Sequence, residues 1–214
     1  MSMNEPFVIT ISREVGSGGR TVGRLLAAKL GVCYSDKQLI DGLQEKFNLT
    51  ASGIEKLKSQ KKNWFADFIQ MVAPVPKVSL LTDADSKYIQ EFRTDVSVND
   101  LFLAEKEILN AIADEGSCVI AGRSGFFVLK DRPNKVDVFI TASRENRIQR
   151  IMRRQDLDRE QAEAVLDAVD QGRENYVQRF TGESRYDLRN YDLVLNMDNL
   201  SEEEAVDLIL SYLK

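Results

Sequence analysis

Residues 7–31 read "FVITISREVGSGGRTVGRLLAAKLG", and their order decides what kind of fold the chain can adopt. "FVITI" (7–11) is apolar almost throughout, as a strand buried on both faces is. Gly16, Gly18 and Gly19 surround Ser17, and from Thr21 to Leu30 the apolar residues recur with helical spacing. A strand end that fixes a loop, glycines that let backbone N–H groups converge, and a helix N-terminus aimed at the same point are what an anion-binding turn requires. The competing reading is a glycine turn that only tightens a strand-to-helix connection, for which a single glycine suffices.

Further along, "VCY" (32–34), "CVIAG" (118–122), "VDVFI" (136–140) and "YDLVLN" (191–196) read as four more strands. Helical patterns separate them at 21–30, about 37–47, a long region from about 53 to 115, then 143–154, 159–179 and 201–213. This alternation predicts an α/β fold with a parallel sheet covered on both faces. Residues 48–98, mostly helical with a break at "APVPK" (73–77), form an insertion that a minimal strand–helix–strand unit does not need. Within it Trp64, Phe65 and Phe68 read as helix core rather than as a stacking platform for a base. Residues 155–189 are densely charged and hold few large apolar residues, which suggests a mobile flap. In that flap Tyr176 and Phe180, at i, i+4, are expected to pack against the sheet. "SEEEAVDLILSYLK" at 201–214 opens with Ser201 and Glu204 in capping-box spacing, and Ala205, Leu208, Ile209 and Tyr212 make an apolar stripe.

A chain of 214 residues, 43% hydrophobic, has the material for one substantial core and suits a single domain with subdomains. Its net charge of −5 argues against a general nucleic-acid-binding role, so a polyanion must be held locally. No run approaches the roughly 20 apolar residues of a membrane span, and the N-terminus has no basic leader, so a cytoplasmic location without membrane association is expected. Cys33 and Cys118, each beside an apolar run, are expected to be reduced core thiols. The chain has no histidine, which removes Ser-His-Asp and Cys-His catalysis and histidine-ligated metal sites together.

The usual phosphate-loop pattern is G-x-x-x-x-G-K-[ST]. Here the first glycine position falls on Ser12 or Arg13, depending on register, the residue after Gly18 is Gly19, and Arg20 comes one place later. A one-residue shift at a helix start turns a side chain by about 100°, so Arg20 does not follow the path of the lysine, although its longer fork reaches a phosphate from another side. Backbone donors are unaffected by the change.

With these residues in view, "ISREVGSGGRTVGRLLAAKLGVCYSDKQLI", "CVIAGRSGFFVLKDRPNKVDVFITASRENRIQRI", "NYVQRFTG" and "NYDLVLN" resemble the cytidylate kinase-like family of P-loop nucleoside monophosphate kinases. The likeness runs in order along nearly the whole chain and is weakest from about 45 to 98. It implies a P-loop fold with a five-stranded parallel sheet, a helical monophosphate-binding insertion (48–98) and an arginine-bearing lid (155–189) on a core of 6–47, 99–154 and 190–214. It also implies ATP and Mg²⁺ as cofactors and a small-molecule nucleotide as partner. Gly16, Ser17, Gly18, Gly19, Arg20 and Thr21 match the phosphate loop. Arg123 in "AGRSG" matches the arginine that holds the acceptor phosphate, and Asp36 in "YSDKQLI" matches an aspartate at the edge of the monophosphate site. Thr21, or Ser17, is the hydroxyl expected near the metal. Where the family has the loop lysine and the aspartate of D-G-R, this chain has Gly19 and Ala121.

Transfer to a nucleoside monophosphate needs no base, because the acceptor oxygen is already anionic; the work is alignment and charge neutralisation. The arginine pattern suits that work. Residues 144–189 hold ten arginines and no lysine, which favours planar bidentate contacts, although ten acidic residues share the segment and surface pairs such as Arg159 with Glu163 are the plainer reading. At least two of Arg150, Arg153, Arg154 and Arg173 are expected to touch phosphate. The expected catalytic set is therefore Arg20, Arg123, Arg150, Arg154 and Arg173. Two alternatives stand beside kinase activity: a nucleotide-binding module without turnover, and a P-loop kinase of a non-nucleotide metabolite.

Overall fold

A computed structural model of the chain describes residues 2, 4–36 and 98–214. The expected helix near 37–47, the insertion with its break at 73–77, and Trp64, Phe65 and Phe68 lie outside the described residues.

Five strands make one wholly parallel sheet in the order β2-β3-β1-β4-β5: β1 (Val8–Arg13), β2 (Cys33–Asp36), β3 (Cys118–Ala121), β4 (Lys135–Thr141) and β5 (Leu193–Asn196). Each falls on a run that the sequence marks as a strand. Connecting helices are α1 (Gly19–Leu30), α2 (Val98–Glu115), a single turn α3 (Gly125–Val128), α4 (Arg144–Gln155), α5 (Arg159–Thr181) and α6 (Glu202–Tyr212). Strand β1 lies between β3 and β4, so the C-terminal ends of β1 and β3 stand side by side. The chain leaves β1 toward β2 on one side and leaves β3 toward β4 on the other, the arrangement that opens a crevice at the carboxyl edge of an α/β sheet.

Ile9 and Ile11 of β1, with Val138 and Ile140 of β4, are fully buried against Val22 and Leu26 of α1 and Ala205 and Ile209 of α6. On the opposite face the alternation turns polar at one point. Thr10 donates its hydroxyl to Asp137, and Lys135 Nζ stands 2.6 Å from the same carboxylate. Burial pushes the Asp137 carboxyl above its usual range, against the pull of these two partners.

Helix ends follow local chemistry. Ser201 and Glu204 form the expected capping box of α6, and Asp158 with Gln161 forms another at the start of α5. Gly31 ends α1 in the left-handed conformation. The stripe on α6 is turned from the expected one: Ala205, Val206, Ile209 and Leu213 are buried, whereas Leu208 and Tyr212 are exposed.

Three further expectations are corrected. Segment 155–189 is mainly the long helix α5, whose Ala162, Leu166 and Val169 are buried with Ile148 and Ile151 of α4. These few apolar positions share one face, so dense charge on the other face does not make the segment a loose flap. Tyr176 and Phe180 pack against α2 rather than the sheet: Phe180 stacks on Phe102 at 4.5 Å between ring centroids, and Tyr176 meets the same ring edge-on at 6.2 Å. Finally, Cys118 is buried but Cys33, its register partner on edge strand β2, is exposed; both are free thiols.

Candidate active site

The loop after β1 is fixed from below by buried charge. Asp170 of α5 accepts from the Val15 amide at 3.0 Å and from Arg147 Nη1 at 2.5 Å, and all three residues are buried. Arg147 also lies 3.5 Å from Glu14, whose carboxylate accepts from Thr141 Oγ1. Removing one member of such a buried pair costs about 3–5 kcal/mol, because the other charge is left without compensation. Gly16 (φ 78°) and Gly18 (φ 89°) both adopt left-handed backbone, and a Cβ on Gly16 would stand 2.6 Å from the Arg147 carbonyl oxygen.

Above this base the amides are open. Among the described residues, those of Gly16 and Gly18 donate to no protein atom. Successive N–H groups in such a turn, followed by the N-terminus of α1, make an anion-binding concavity. Ser17 is buried and its hydroxyl donates to the Glu14 carbonyl at 2.9 Å, so it belongs to the loop's own framework. Thr21 sits partly exposed in the first turn of α1 and accepts from Arg154 Nη2 at 3.3 Å. Of the two expected hydroxyls, Thr21 is the more exposed.

Of the expected arginines, Arg150 lies directly over the loop: its guanidinium stands 3.1–3.2 Å from where a Cβ on Gly18 would be, and it is paired with Glu202. That hydrogen bond holds the Glu202 carboxyl below its usual range. Arg154 reaches Thr21, Arg153 is exposed, and Arg173 donates to the Arg13 carbonyl at 3.3 Å. Arg20 points away from the loop: its Nε and Nη2 lie 2.9 and 2.8 Å from Asp36 Oδ2, so two expected site residues meet each other.

Arg123 follows β3 in an uncommon run of left-handed backbone, Gly122 (φ 87°), Arg123 (φ 55°) and Ser124 (φ 52°). Its Nη1 pairs with Glu105 of α2, which is buried and also accepts from the Tyr176 hydroxyl. Burial first, then the Glu105 charge, raises the Tyr176 phenol far above its usual value.

Four residues of this cleft escaped the sequence reading: Arg13, Glu105, Asp170 and Arg185. Arg185 is buried and donates to the Arg13 carbonyl. Only Arg13 carried a signal, an arginine at a glycine position of the loop pattern.

A model of the cytidylate kinase-like family matches residues 8–199. A cytidylate kinase of Sulfurisphaera tokodaii is 26% identical over 209 residues, spanning 96% of this chain and 94% of its own. Among solved structures, an uncharacterized protein from Eubacterium ventriosum matches with a TM-score of 0.69 at 21% identity, over 97% of this chain and 98% of that one. The shikimate kinase of Bacteroides thetaiotaomicron matches with a TM-score of 0.51 at 15% identity, over 97% and 98%. A match over residues 8–199, which carry all five strands, places the chain in the cytidylate kinase-like family, with the fold of a P-loop kinase.

Proposed function

We propose that the protein transfers the γ-phosphate of ATP to an anionic acceptor, a pyrimidine nucleoside monophosphate such as CMP or dCMP. Family membership makes it a phosphotransferase of the nucleoside monophosphate kinase-like kind; the acceptor is the added step. The reading rests on one observation above all: the open amides of Gly16 and Gly18 beneath the Arg150 guanidinium, at the mouth of the β1–β3 crevice.

In this reading Gly16–Thr21 grip the triphosphate, and Arg150 and Arg154 neutralise its oxygens while Arg173 lines the rear of the site. Arg123 holds the acceptor phosphate, and Asp36 with Arg20 borders the acceptor. An acceptor phosphate oxygen forms a bond to the γ-phosphorus as the bond to the β,γ-bridging oxygen breaks, and the electron pair leaves with ADP. No histidine is required, since no proton has to be removed. Mg²⁺, when bound, would supply charge neutralisation on the phosphates, and the Thr21 hydroxyl suits it, because this ion takes one or two protein oxygens alongside phosphate and water.

A second reading, nucleotide binding without turnover, draws on Gly19 at the lysine position and on Arg20 being turned to Asp36. An ATP-consumption screen over CMP, dCMP, UMP, AMP and hydroxyl acceptors separates the readings. Turnover with a pyrimidine monophosphate is expected; ATP binding without turnover on any acceptor supports the second, and turnover on a hydroxyl acceptor alone points to a metabolite kinase.

A further inference from the structure

Gly18, the N-cap of α1, occupies the second glycine of G-x-x-x-x-G-K-[ST], which puts Arg13 at the first glycine and Gly19 at the lysine. These two departures touch. A Cβ on Gly19 would lie 2.6 Å from the Arg13 Cβ and 3.1 Å from its Cγ, so side chains at 13 and 19 compete for one space. From there the Arg13 chain crosses to β3, where its Nη1 stands 2.0 Å from the place a Cβ on Gly122 would take. Only glycine at both 19 and 122 leaves a channel for the guanidinium, which ends in the crevice between β1 and β3.

Nothing in the described protein balances that charge closely. The Arg13 guanidinium donates no hydrogen bond and forms no ion pair among the described residues, although its own carbonyl accepts from Arg173 and Arg185. Burial, and after it the charge of Arg173, brings its pKa down to about 10, which leaves it charged at neutral pH. Arg185 is buried with an Nη1 that has no hydrogen-bond partner, and it and Arg173 each approach Asp170 to 3.7 Å. An arginine serving only to brace two strands would be met by a carboxylate or carbonyl; a guanidinium near Arg173 and Arg185, its nearby carboxylate Asp36 already paired with Arg20, is matched by a polyphosphate.

We propose that Arg13 and Gly19 are a reciprocal exchange of the loop's cation: Arg13 reaches in from the strand end and contacts the β- and γ-phosphates that a lysine at position 19 would contact. Arg20, held by Asp36, is released from that role. The inference rests on the nucleotide-binding reading above.

Calorimetry with ATP and AMP on the wild-type protein, Arg13→Gln, Gly19→Lys and the double variant Arg13→Gly/Gly19→Lys tests it, with thermal melting of each and a co-crystal of the wild type with a non-hydrolysable ATP analogue. Loss of one charge-assisted contact predicts ATP binding weakened about 10–100-fold in Arg13→Gln with little change for AMP. Gly19→Lys alone is expected to melt early and bind ATP poorly, and the double variant to regain ATP affinity to within about threefold of wild type, since the cation returns by the other route. In the co-crystal the Arg13 guanidinium is expected within hydrogen-bond distance of a β- or γ-phosphate oxygen, a result that does not depend on any variant folding. An analogue seated on the loop with Arg13 out of reach, or unchanged ATP affinity in Arg13→Gln, overturns the exchange and leaves the kinase reading standing. A loop that takes no nucleotide overturns both.

Discussion

The two sides of the β1–β3 crevice handle charge in opposite ways. On the loop side, carboxylates are spent on the framework: Asp170 binds the Val15 amide and Arg147 beneath the turn, leaving the Gly16 and Gly18 amides and the buried Arg13 guanidinium without hydrogen-bond partners among the described residues. On the side proposed for the acceptor each expected cation already has a carboxylate, Arg123 with Glu105 and Arg20 with Asp36. On the loop side the amides need no partner displaced, although Arg150 is paired with Glu202; on the other side, in the proposed reading, both expected cations exchange a carboxylate for the incoming phosphate. That contrast predicts separate behaviour for the two substrates.

The severest way to break it is Asp170→Ala, which takes from buried Arg147 its closer carboxylate and leaves it Glu14 at 3.5 Å, and should cost about 3 kcal/mol in chemical denaturation, with ATP affinity falling as the loop loosens. A loss under about 1 kcal/mol would mean that the loop is not held from below. Next comes Gly16→Ala, where a Cβ meets the Arg147 carbonyl at a φ of 78°. About 1–3 kcal/mol of strain is expected there, together with weaker ATP binding in calorimetry. Glu105→Gln sharpens the contrast instead. It keeps an acceptor for Tyr176 but removes the charge that holds Arg123, so stability should drop by about 1–2 kcal/mol, while acceptor KM falls and ATP affinity is unchanged.

The smallest effect is a pH dependence. Arg150 lowers the Glu202 carboxyl, so the pair's contribution is present above the unfolded glutamate value near about 4.3 and disappears as pH falls through the lower folded value. Wild type and Glu202→Gln should therefore differ by a few tenths to about 1 kcal/mol at neutral pH and converge in the acid limb of a stability profile. ATP should narrow the neutral-pH difference if it draws Arg150 away from Glu202.

Strand positions were legible because parallel strands buried on both faces are continuous apolar runs, as "FVITI" and "VDVFI" are. The glycine turn between β1 and α1 was legible because glycine spacing is local. The partners of its charges were not: Asp170 lies 155 residues from the amide it binds, and Glu105 lies 18 residues from Arg123 on another element. Charge density in 155–189 misled in the same way, since the helical face carrying Leu166 and Val169 is diluted in the linear sequence by exposed Glu and Arg. Arg13 stood in plain view as a departure from the pattern, but its meaning required knowing that it touches Gly19.

The three successive positive φ angles at Gly122, Arg123 and Ser124 make residue 123 a place where main chain and side chain can be interrogated apart. Glycine there relaxes the bend while deleting the guanidinium; asparagine tolerates the bend and offers only an amide; valine opposes the bend outright. A ladder of those three replacements would report, at one position, how much of the proposed acceptor capture is geometry inherited from the turn and how much is electrostatic grip.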